Sequence, residues 1–134
     1  MELLRQDTDY AVRAMVHLTQ SEAQERVSAG DLASAQDIPL SFCHKILRKL
    51  VQAGLVRSRP GRNGGFHLAR PAATIALFDI VEAIQGPVAV SQCMLSVRAC
   101  PRRARCPASR KWQGLQDRIV SFLKTTKLDD IVKG

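Results

Sequence analysis

Three of the four cysteines, together with four arginines, lie within the stretch CMLSVRACPRRARC, which runs from Cys93 through Cys100 to Cys106. Thiols this close together can form disulfides, bind a metal or act as nucleophiles. The interspersed arginines favour the thiolate form and offset the negative charge of a thiolate-ligated centre. This segment is therefore the strongest candidate for chemistry in the sequence.

The spacing of these cysteines, C-x6-C-x5-C, favours an iron–sulfur cluster over a structural zinc site. Structural zinc sites usually contain C-x2-C pairs, whereas wide gaps let loop ligands reach around a bulky cluster. Cys100 and Cys106 each precede a proline, which favours extended backbone at both cysteines. Cys106 also precedes a predicted helix, whose positive end favours a thiolate. A thiol switch, a zinc site and three uninvolved thiols are the alternatives.

The fourth cysteine, Cys43, lies beside apolar residues within another predicted helix. Buried cysteines behave as small hydrophobic side chains. We therefore expect Cys43 to be a packing residue.

The charge balance favours a polyanionic partner. Twenty lysines and arginines stand against twelve acidic residues, which gives a net charge of +8. Such an excess attracts nucleic acid with an affinity that falls as salt rises. A basic surface that serves only solubility is the simpler alternative.

The sequence contains neither a long apolar run nor a basic segment followed by an apolar one at its start. We therefore expect no membrane span and no secretory signal. A cytoplasmic protein keeps its thiols reduced, which argues against a disulfide framework. No C-x-x-C pair and no nucleophile–base motif supports a thiol oxidoreductase, so we do not expect an enzyme.

Hydrophobic periodicity predicts a mainly α-helical chain with one small β-hairpin. Asp7 and Thr8 are candidate N-caps for the first helix, and Ser28 with Asp31 for the second. The strand-like segments LVRSR and FHLAR flank a six-residue turn, PGRNGG. The predicted helices cover residues 10–21, 28–35, 41–53, 77–84 and about 107–124, and residues 128–134 form a final turn.

Three helices followed by a glycine-rich hairpin is the order of a winged helix-turn-helix. With Phe42, Ile46 and Leu50 inward, the third helix presents side chains that can bind bases and phosphates, without a carboxylate among them. The arginines of the hairpin suit a phosphate backbone or a narrow minor groove. The predicted DNA-binding residues are Ser41, His44, Lys45 and Arg48 in the helix and Arg57, Arg59 and Arg62 in the hairpin.

Several segments together resemble the Rrf2 family of bacterial transcriptional regulators. They are TDYAVRAM, IPLSFCHKILRKLVQAGLV, RPGRNGGFHLARP, IALFDIVEAIQG and TTKLDDIV. The resemblance implies a homodimer on a palindromic double-stranded DNA operator, controlled by a [2Fe–2S] or [4Fe–4S] cluster. It implies a winged helix-turn-helix domain at 1–86, a cluster loop at 87–106, and a dimerisation helix with a C-terminal tail at 107–134. The implied interface residues are Leu115, Ile119, Phe122 and Leu123.

The resemblance also implies a ligand set. Cys93, Cys100 and Cys106 match the cluster cysteines of the family. The histidine that the IscR-like branch places after the third cysteine is replaced here by Ser109. The NsrR-like branch instead uses an aspartate from the other subunit, and Asp9 matches it. An acid in the first turn of a helix is also favourable without any ligand role, and water, a small thiol, His17, His44 or His67 are other candidates.

This sequence departs from the family pattern at three places. The first cysteine gap is one residue longer than usual, the hairpin starts Pro60-Gly61-Arg62, and His44 replaces a glutamate of the IscR-like branch that helps to select operators. We therefore expect a different base preference. The sequence-based expectation is a repressor that senses redox state, nitric oxide or iron–sulfur supply; the alternative is a cluster-free regulator that uses a thiol switch or a partner protein.

Overall fold

The computed structural model describes residues 2–21, 25–96 and 98–134 and shows a helical protein with one antiparallel hairpin. The helices enclose a hydrophobic core, and short 3-10 turns cover Ala72–Thr74 and Gln92–Met94. The main elements are α1 (Gln6–Gln20), α2 (Ala29–Gln36), α3 (Leu40–Gln52), β1 (Val56–Arg59), β2 (Gly65–Leu68), α4 (Leu77–Gln85), α5 (Pro107–Thr125) and α6 (Leu128–Lys133).

Helix α1 begins four residues before the predicted start, and neither Asp7 nor Thr8 caps it. The N-cap is Arg5, which has no side-chain capping bond. The carboxylate of Asp7 instead pairs with Arg5 at 2.8 Å, and the Thr8 hydroxyl donates to Gln85 Oε1 at 2.7 Å. The predicted caps were wrong because both side chains are used by other partners.

Helices α2 and α3 form the predicted helix-turn-helix. The Ser28 hydroxyl accepts from the Asp31 amide at 3.1 Å, which confirms the predicted cap. The turn passes through Asp37, whose φ of 54° is left-handed, a conformation that aspartate tolerates better than most residues. Buried Ile38 then anchors the turn to the core. These contacts fix the angle at which α3 leaves the turn.

The hairpin that follows has a five-residue loop, one shorter than predicted, because Gly65 already pairs with Arg59 as part of β2. A Cβ atom on Gly64 would clash with the Arg59 carbonyl oxygen. A Cβ atom on Gly65 would lie 2.8 Å from the Val27 carbonyl oxygen, and its φ is 138°. The two backbone hydrogen bonds between Val27 and Phe66 hold the hairpin against the segment before α2. The glycine pair is therefore required by close backbone packing.

The last helix, α6, packs against the core, whereas α5 before it is largely exposed. Leu123 of α5 packs with Val81 of α4, and Leu128 of α6 is completely buried in the main core. Backbone hydrogen bonds from Leu128 to Ile75, and from Leu77 to Thr126, secure this packing. Across the described residues, none of the helices has the length and hydrophobicity needed to cross a bilayer.

Replacement of Gly65 by alanine should lower the free energy of unfolding by about 1–3 kcal/mol, because the residue needs a positive φ and close contact with Val27. Urea unfolding measures the change. Gly30→Ala is the matched control, since Gly30 lies in α2 with open space around it. That control should be neutral or stabilising by up to about 1 kcal/mol. Equal stabilities of the two variants would contradict this account of the hairpin.

Candidate DNA-binding surface and cysteine loop

The polar face of α3 is exposed as predicted from the sequence. Four side chains at helical spacing share it, and the opposite face of the helix is buried. Within the described residues, none of the four makes a side-chain hydrogen bond or ion pair, so their donors are free to meet a ligand. The exposed residues are Ser41, His44, Lys45 and Arg48, and the buried ones are Cys43, Ile46, Leu47 and Leu50.

Phe42 was predicted to face inward, and this was wrong. Its side chain is 41% exposed and packs edge-to-face with the Tyr10 ring, with the ring centroids 5.9 Å apart. The next residue, Cys43, faces inward instead. Successive side chains are rotated by about 100° around a helix, so Phe42 and Cys43 point in different directions. Phe42 therefore lies at the border between the core and the exposed face.

The predicted packing role of Cys43 is confirmed. Its side chain is buried, and its thiol donates a weak hydrogen bond to the Ala29 carbonyl oxygen at 3.5 Å. Burial raises the pKa of this thiol above its ordinary value. Cys43 is therefore a neutral packing group between α2 and α3.

The hairpin adds three exposed arginines to the same region of the sequence: Arg57 and Arg59 on β1, and Arg62 in the turn. Arg57 and Arg59 are two residues apart on the strand and therefore share one face of the hairpin. Lys49 of α3 is not part of this basic set, because its ammonium group donates to the Ile84 carbonyl oxygen at 3.0 Å.

The start of α1 lies beside α3, a proximity that the sequence pattern did not predict. A groove beside α3 is lined by Arg5, Gln6 and Asp7 together with Lys45 and Lys49. No periodic pattern pairs these segments, because their proximity comes from the packing of α1 against α3. Arg5 pairs with Asp7 and Lys49 donates to Ile84, so Lys45 is the basic residue of this groove without a partner in the described part of the chain.

His67 lies at the base of the hairpin and is the cross-strand partner of Arg57. Burial, followed by the positive charges of Arg26 and Arg57, holds the pKa of His67 below its ordinary value of 6.5. Its Nδ1 atom is buried without a hydrogen-bond partner among the described residues. A proton on this ring would therefore place a third positive charge in a small, partly desolvated space.

The three cysteines of the loop lie along α5, and each is a free thiol. Cys93 is buried in the 3-10 turn that contacts α5, and its sulfur lies 2.9 Å from the Ser91 hydroxyl. Cys100 lines a cavity against the start of α5, and Cys106 is the N-cap of that helix. Cys100 and Cys106 are half-buried. The helix therefore serves as the common support for the loop.

Two glutamine side chains of α5 hold the loop. The Gln116 side chain donates to the Val88 carbonyl oxygen and accepts from the Val90 amide at 2.9 Å. Gln113 accepts a long hydrogen bond of 3.4 Å from the Arg103 guanidinium group. The loop is thus attached to α5 by polar contacts at two places.

The candidate ligands are cysteines and an aspartate, which are types that can hold an iron–sulfur cluster. A single protomer does not bring them together. Among the described residues, no three histidine, cysteine, aspartate or glutamate side chains form a group that could hold a metal ion. Asp9 is 67% exposed at its side chain, pairs with Arg13 at 3.4 Å, and shares a groove with Leu123. Leu123 lies seventeen residues beyond Cys106, or roughly 25 Å along α5 at 1.5 Å per residue. Asp9 is therefore at the other end of α5 from the third cysteine.

The predicted interface residues divide into two groups. Leu123 is buried against Val81 and Val88 within the protomer, and Ile119 packs at the edge of that cluster. Leu115 and Phe122 are exposed, with 62% of Phe122 accessible to solvent. Trp112, which was not among the predicted interface residues, is also exposed on α5. The helix thus keeps an apolar face that its own protomer does not cover.

The family model for Rrf2, described as iron-dependent transcriptional regulators, matches residues 4–134. This chain belongs to the Rrf2 family. Among its relatives, an HTH-type transcriptional regulator of Mycobacterium tuberculosis is 39% identical over 127 residues, covering 94% of this chain and 78% of that protein. The regulator IscR of Cereibacter sphaeroides is 36% identical over 128 residues, covering 92% and 83%.

Solved Rrf2-type structures have the same fold. IscR of T. potens has a TM-score of 0.76 at 26% identity, covering 97% of this chain and 85% of that one. CymR, the global cysteine regulator of B. subtilis, has a TM-score of 0.76 at 20% identity, covering 99% and 98%. The winged-helix architecture is therefore confirmed. This Rrf2 protein belongs to a family of DNA-binding transcription regulators, not of enzymes.

The depressed pKa of His67 should make the fold less stable in mild acid. As the pH falls, the unfolded chain takes up a proton at its ordinary pKa of 6.5 before the folded protein does. The stability that depends on neutral His67 is therefore complete above that pH and is lost as the pH falls toward the folded-state pKa. Urea unfolding at about pH 7.5 and about pH 5.5 measures this loss.

His67→Gln should reduce the loss between the two pH values, and His44→Gln, which changes an exposed histidine, should leave it as in the wild type. If His67→Gln lost as much stability in acid as the wild type, another group would have to be responsible.

Proposed function

We propose that this Rrf2 protein is a cytoplasmic, homodimeric repressor that binds a palindromic operator and senses redox state, nitric oxide or iron–sulfur supply through a cysteine-ligated cluster. The observation that carries the DNA-binding part is the exposed, carboxylate-free face of α3, formed by Ser41, His44, Lys45 and Arg48. The family membership of the chain supports the same conclusion.

Helix α3 and the hairpin carry side chains suited to different parts of the DNA. His44, Lys45 and Arg48 can donate hydrogen bonds to base edges from a helix in the major groove. Arg57 and Arg59 extend from a narrow hairpin, which suits phosphates or the minor groove. The absence of acidic side chains from this face keeps repulsion from the phosphates low.

Dimerisation is supported by the uncovered apolar side of α5. Trp112, Leu115 and Phe122 are large, exposed and on one side of the helix, where water contact is unfavourable. A twofold contact between two such helices would bury the same residues from both protomers. Two copies of α3 would then face two half-sites, which is why we propose a palindromic operator.

The same pairing supports Asp9 as the fourth ligand. Within one protomer, Asp9 and the cysteine loop lie toward opposite ends of α5. If twofold-related α5 helices run antiparallel, the cysteine loop of one protomer approaches the Asp9 end of the other. We therefore assign Cys93, Cys100 and Cys106 of one protomer, with Asp9 of its partner, as the ligand set. A bound cluster supplies iron that nitric oxide and oxidants attack.

Control of DNA affinity would use the contacts that connect the loop to α3. The loop is attached to α5 through Gln116, α5 packs on α4 through Leu123, and α4 accepts the hydrogen bond from Lys49 of α3. A change in the order of the loop would alter the pairing of two α5 helices and thereby the spacing of two α3 helices. Such control is a shift between two populations with different DNA affinity.

A cluster-free thiol switch is the second candidate. Cys100 and Cys106 are free and half-buried, so they are open to oxidation. A CymR of Staphylococcus aureus, which has been solved in an oxidised form, has a TM-score of 0.77 at 24% identity. The measurement that separates the two candidates is the iron and sulfide content of protein purified without oxygen.

Arg48→Gln should weaken operator binding by roughly 5- to 150-fold, because a base-contacting arginine contributes about 1–3 kcal/mol. Fluorescence anisotropy with labelled operator DNA measures the change, and the salt dependence should remain steep. Arg118→Gln removes the same charge from the exposed surface of α5 and should leave affinity within about twofold at moderate salt. Equal losses in both variants would show that only net charge matters.

Anaerobic reconstitution with iron and sulfide should give a coloured protein whose operator affinity differs from that of the cluster-free form by about 5- to 150-fold. Alanine at Cys93, Cys100 or Cys106 should remove the colour. Cys43→Ala should keep it, since Cys43 is a packing residue. A colourless wild type would contradict cluster binding, and equal affinities of the two forms would contradict sensing through the cluster.

A further inference from the structure

A cavity of about 490 Å³ lies between the cysteine loop and the first turns of α5. Its size is within the range of small-molecule sites. Cys100 lines this cavity. The other walls of the cavity consist of two arginines, polar side chains and a small apolar patch. The lining residues are Cys100, Pro101, Arg103, Ala104, Ser109, Arg110 and Gln113.

Ser109 adds a polar group to the wall of this cavity. The residue is 5% exposed, and its hydroxyl can donate a hydrogen bond to a ligand group in the cavity.

The two arginines specify an anionic ligand. Arg103 uses one donor in the long bond to Gln113, and Arg110 has no side-chain partner among the described residues. Guanidinium groups bind carboxylates in a planar, two-bond geometry. The cavity therefore offers carboxylate-binding groups beside a free thiol.

We propose that this cavity is a docking site for disulfides of small carboxylate-bearing thiols, and that Cys100 reacts there to form a mixed disulfide. The Cys100 thiol releases its proton to solvent, and its sulfur attacks one sulfur of the bound disulfide. The original S–S bond breaks, one half becomes joined to Cys100, and the other half leaves as a thiolate that takes up a proton. The bound disulfide is itself the oxidant.

The apolar stripe of α5 lies on a different side of the helix from this cavity. At 3.6 residues per turn, the centre of Ser109, Arg110 and Gln113 lies roughly 145° around α5 from the centre of the apolar stripe. Pairing of the stripes would therefore not cover the cavity. The stripe consists of Trp112, Leu115, Ile119 and Phe122.

The effect of Cys100 modification on cluster assembly rests on the proposed function, whereas the modification itself does not. A Cys100 sulfur held in a mixed disulfide has no thiolate to offer to iron. Modification of Cys100 and assembly of a cluster would then exclude each other. The modification itself requires neither iron nor DNA and can be measured alone.

The test uses the full-length, cluster-free protein and three probes at equal concentration: anionic dithiodipropionate, neutral hydroxyethyl disulfide and cationic cystamine. Peptide mass mapping follows the modification of each cysteine over time. Cys100 should react roughly tenfold faster with the anionic probe than with the neutral one, at the low end of electrostatic rate effects, and most slowly with the cationic probe. Equal rates with all three probes at Cys100 would overturn the proposal.

Matched arginine pairs separate docking from net charge. The double variant Arg103→Gln/Arg110→Gln should lose the preference for the anionic probe. The double variant Arg102→Gln/Arg105→Gln removes the same charge from exposed positions in the loop and should retain it. Circular dichroism confirms that both are folded. If both double variants lost the preference for the anionic probe equally, the preference would reflect the overall charge of the loop, and the proposed docking site would be wrong.

The outcome is distinguishable from a failure of the proposed function. Selective modification of Cys100 in a protein that never binds iron would support this site and reject the cluster. A protein that binds iron but shows no probe preference at Cys100 would support the cluster and reject this site.

Discussion

The burial of one side of α3 is the constraint on which the proposed DNA-binding surface depends. Ile46, Leu47 and Leu50 are almost fully enclosed by the core, and each contributes about 1.5–3 kcal/mol through burial. Rotation of α3 about its axis would expose these side chains and bury His44 and Arg48 in their place. The polar face is therefore directed outward by the apolar residues on the opposite side, and not by its own charges.

The contacts around α3 differ in kind from those around the cysteine loop. Helices α1, α2, α4 and α6 share apolar packing with α3 or with each other, whereas the loop is attached to α5 by the side chains of Gln113 and Gln116 and by one apolar contact, between Val88 and Leu123. A hydrogen bond contributes about 0.5–1.5 kcal/mol net, less than a buried aliphatic side chain. Rearrangement of the loop is therefore less costly than rearrangement of the helices. This is the distribution of stability expected of a sensing segment attached to a rigid DNA-binding unit.

Much of the fold could be predicted from the sequence, because most helices bury one face and so carry a regular apolar period. The second and third helices were predicted within one or two residues, and Gly54, with a φ of 77°, follows the end of the third. The start of α1 could not be predicted, since its first turn is polar and is held by Gln85, far away in sequence. The role of Leu128 was missed for a similar reason, because its burial depends on backbone pairing with residue 75.

The candidate site was predictable only where exposure follows from periodicity. The face around Arg48 could be inferred because the residues opposite it are apolar at helical spacing. Loop 87–106 has no period, so its sequence gives the number of thiols and charges but not their directions. The distribution of the arginines shows the difference: Arg103 lines a cavity beside Cys100, whereas Arg102 and Arg105 face solvent. The positive charge of this loop is therefore divided between a cavity wall and the exposed surface, and only the folded chain distinguishes the two.

The proposed roles of Cys100 place two chemistries on one sulfur atom. As a ligand it must be a free thiolate directed toward a site completed by a second protomer, and as a nucleophile it faces a cavity within its own protomer. One sulfur cannot do both at once, so iron supply and thiol oxidation compete for the same atom. The competition needs no additional domain, because both states would act on DNA through the same contacts from the loop to α5 and α4. A regulator of this kind responds to the ratio of two conditions and not to either one alone.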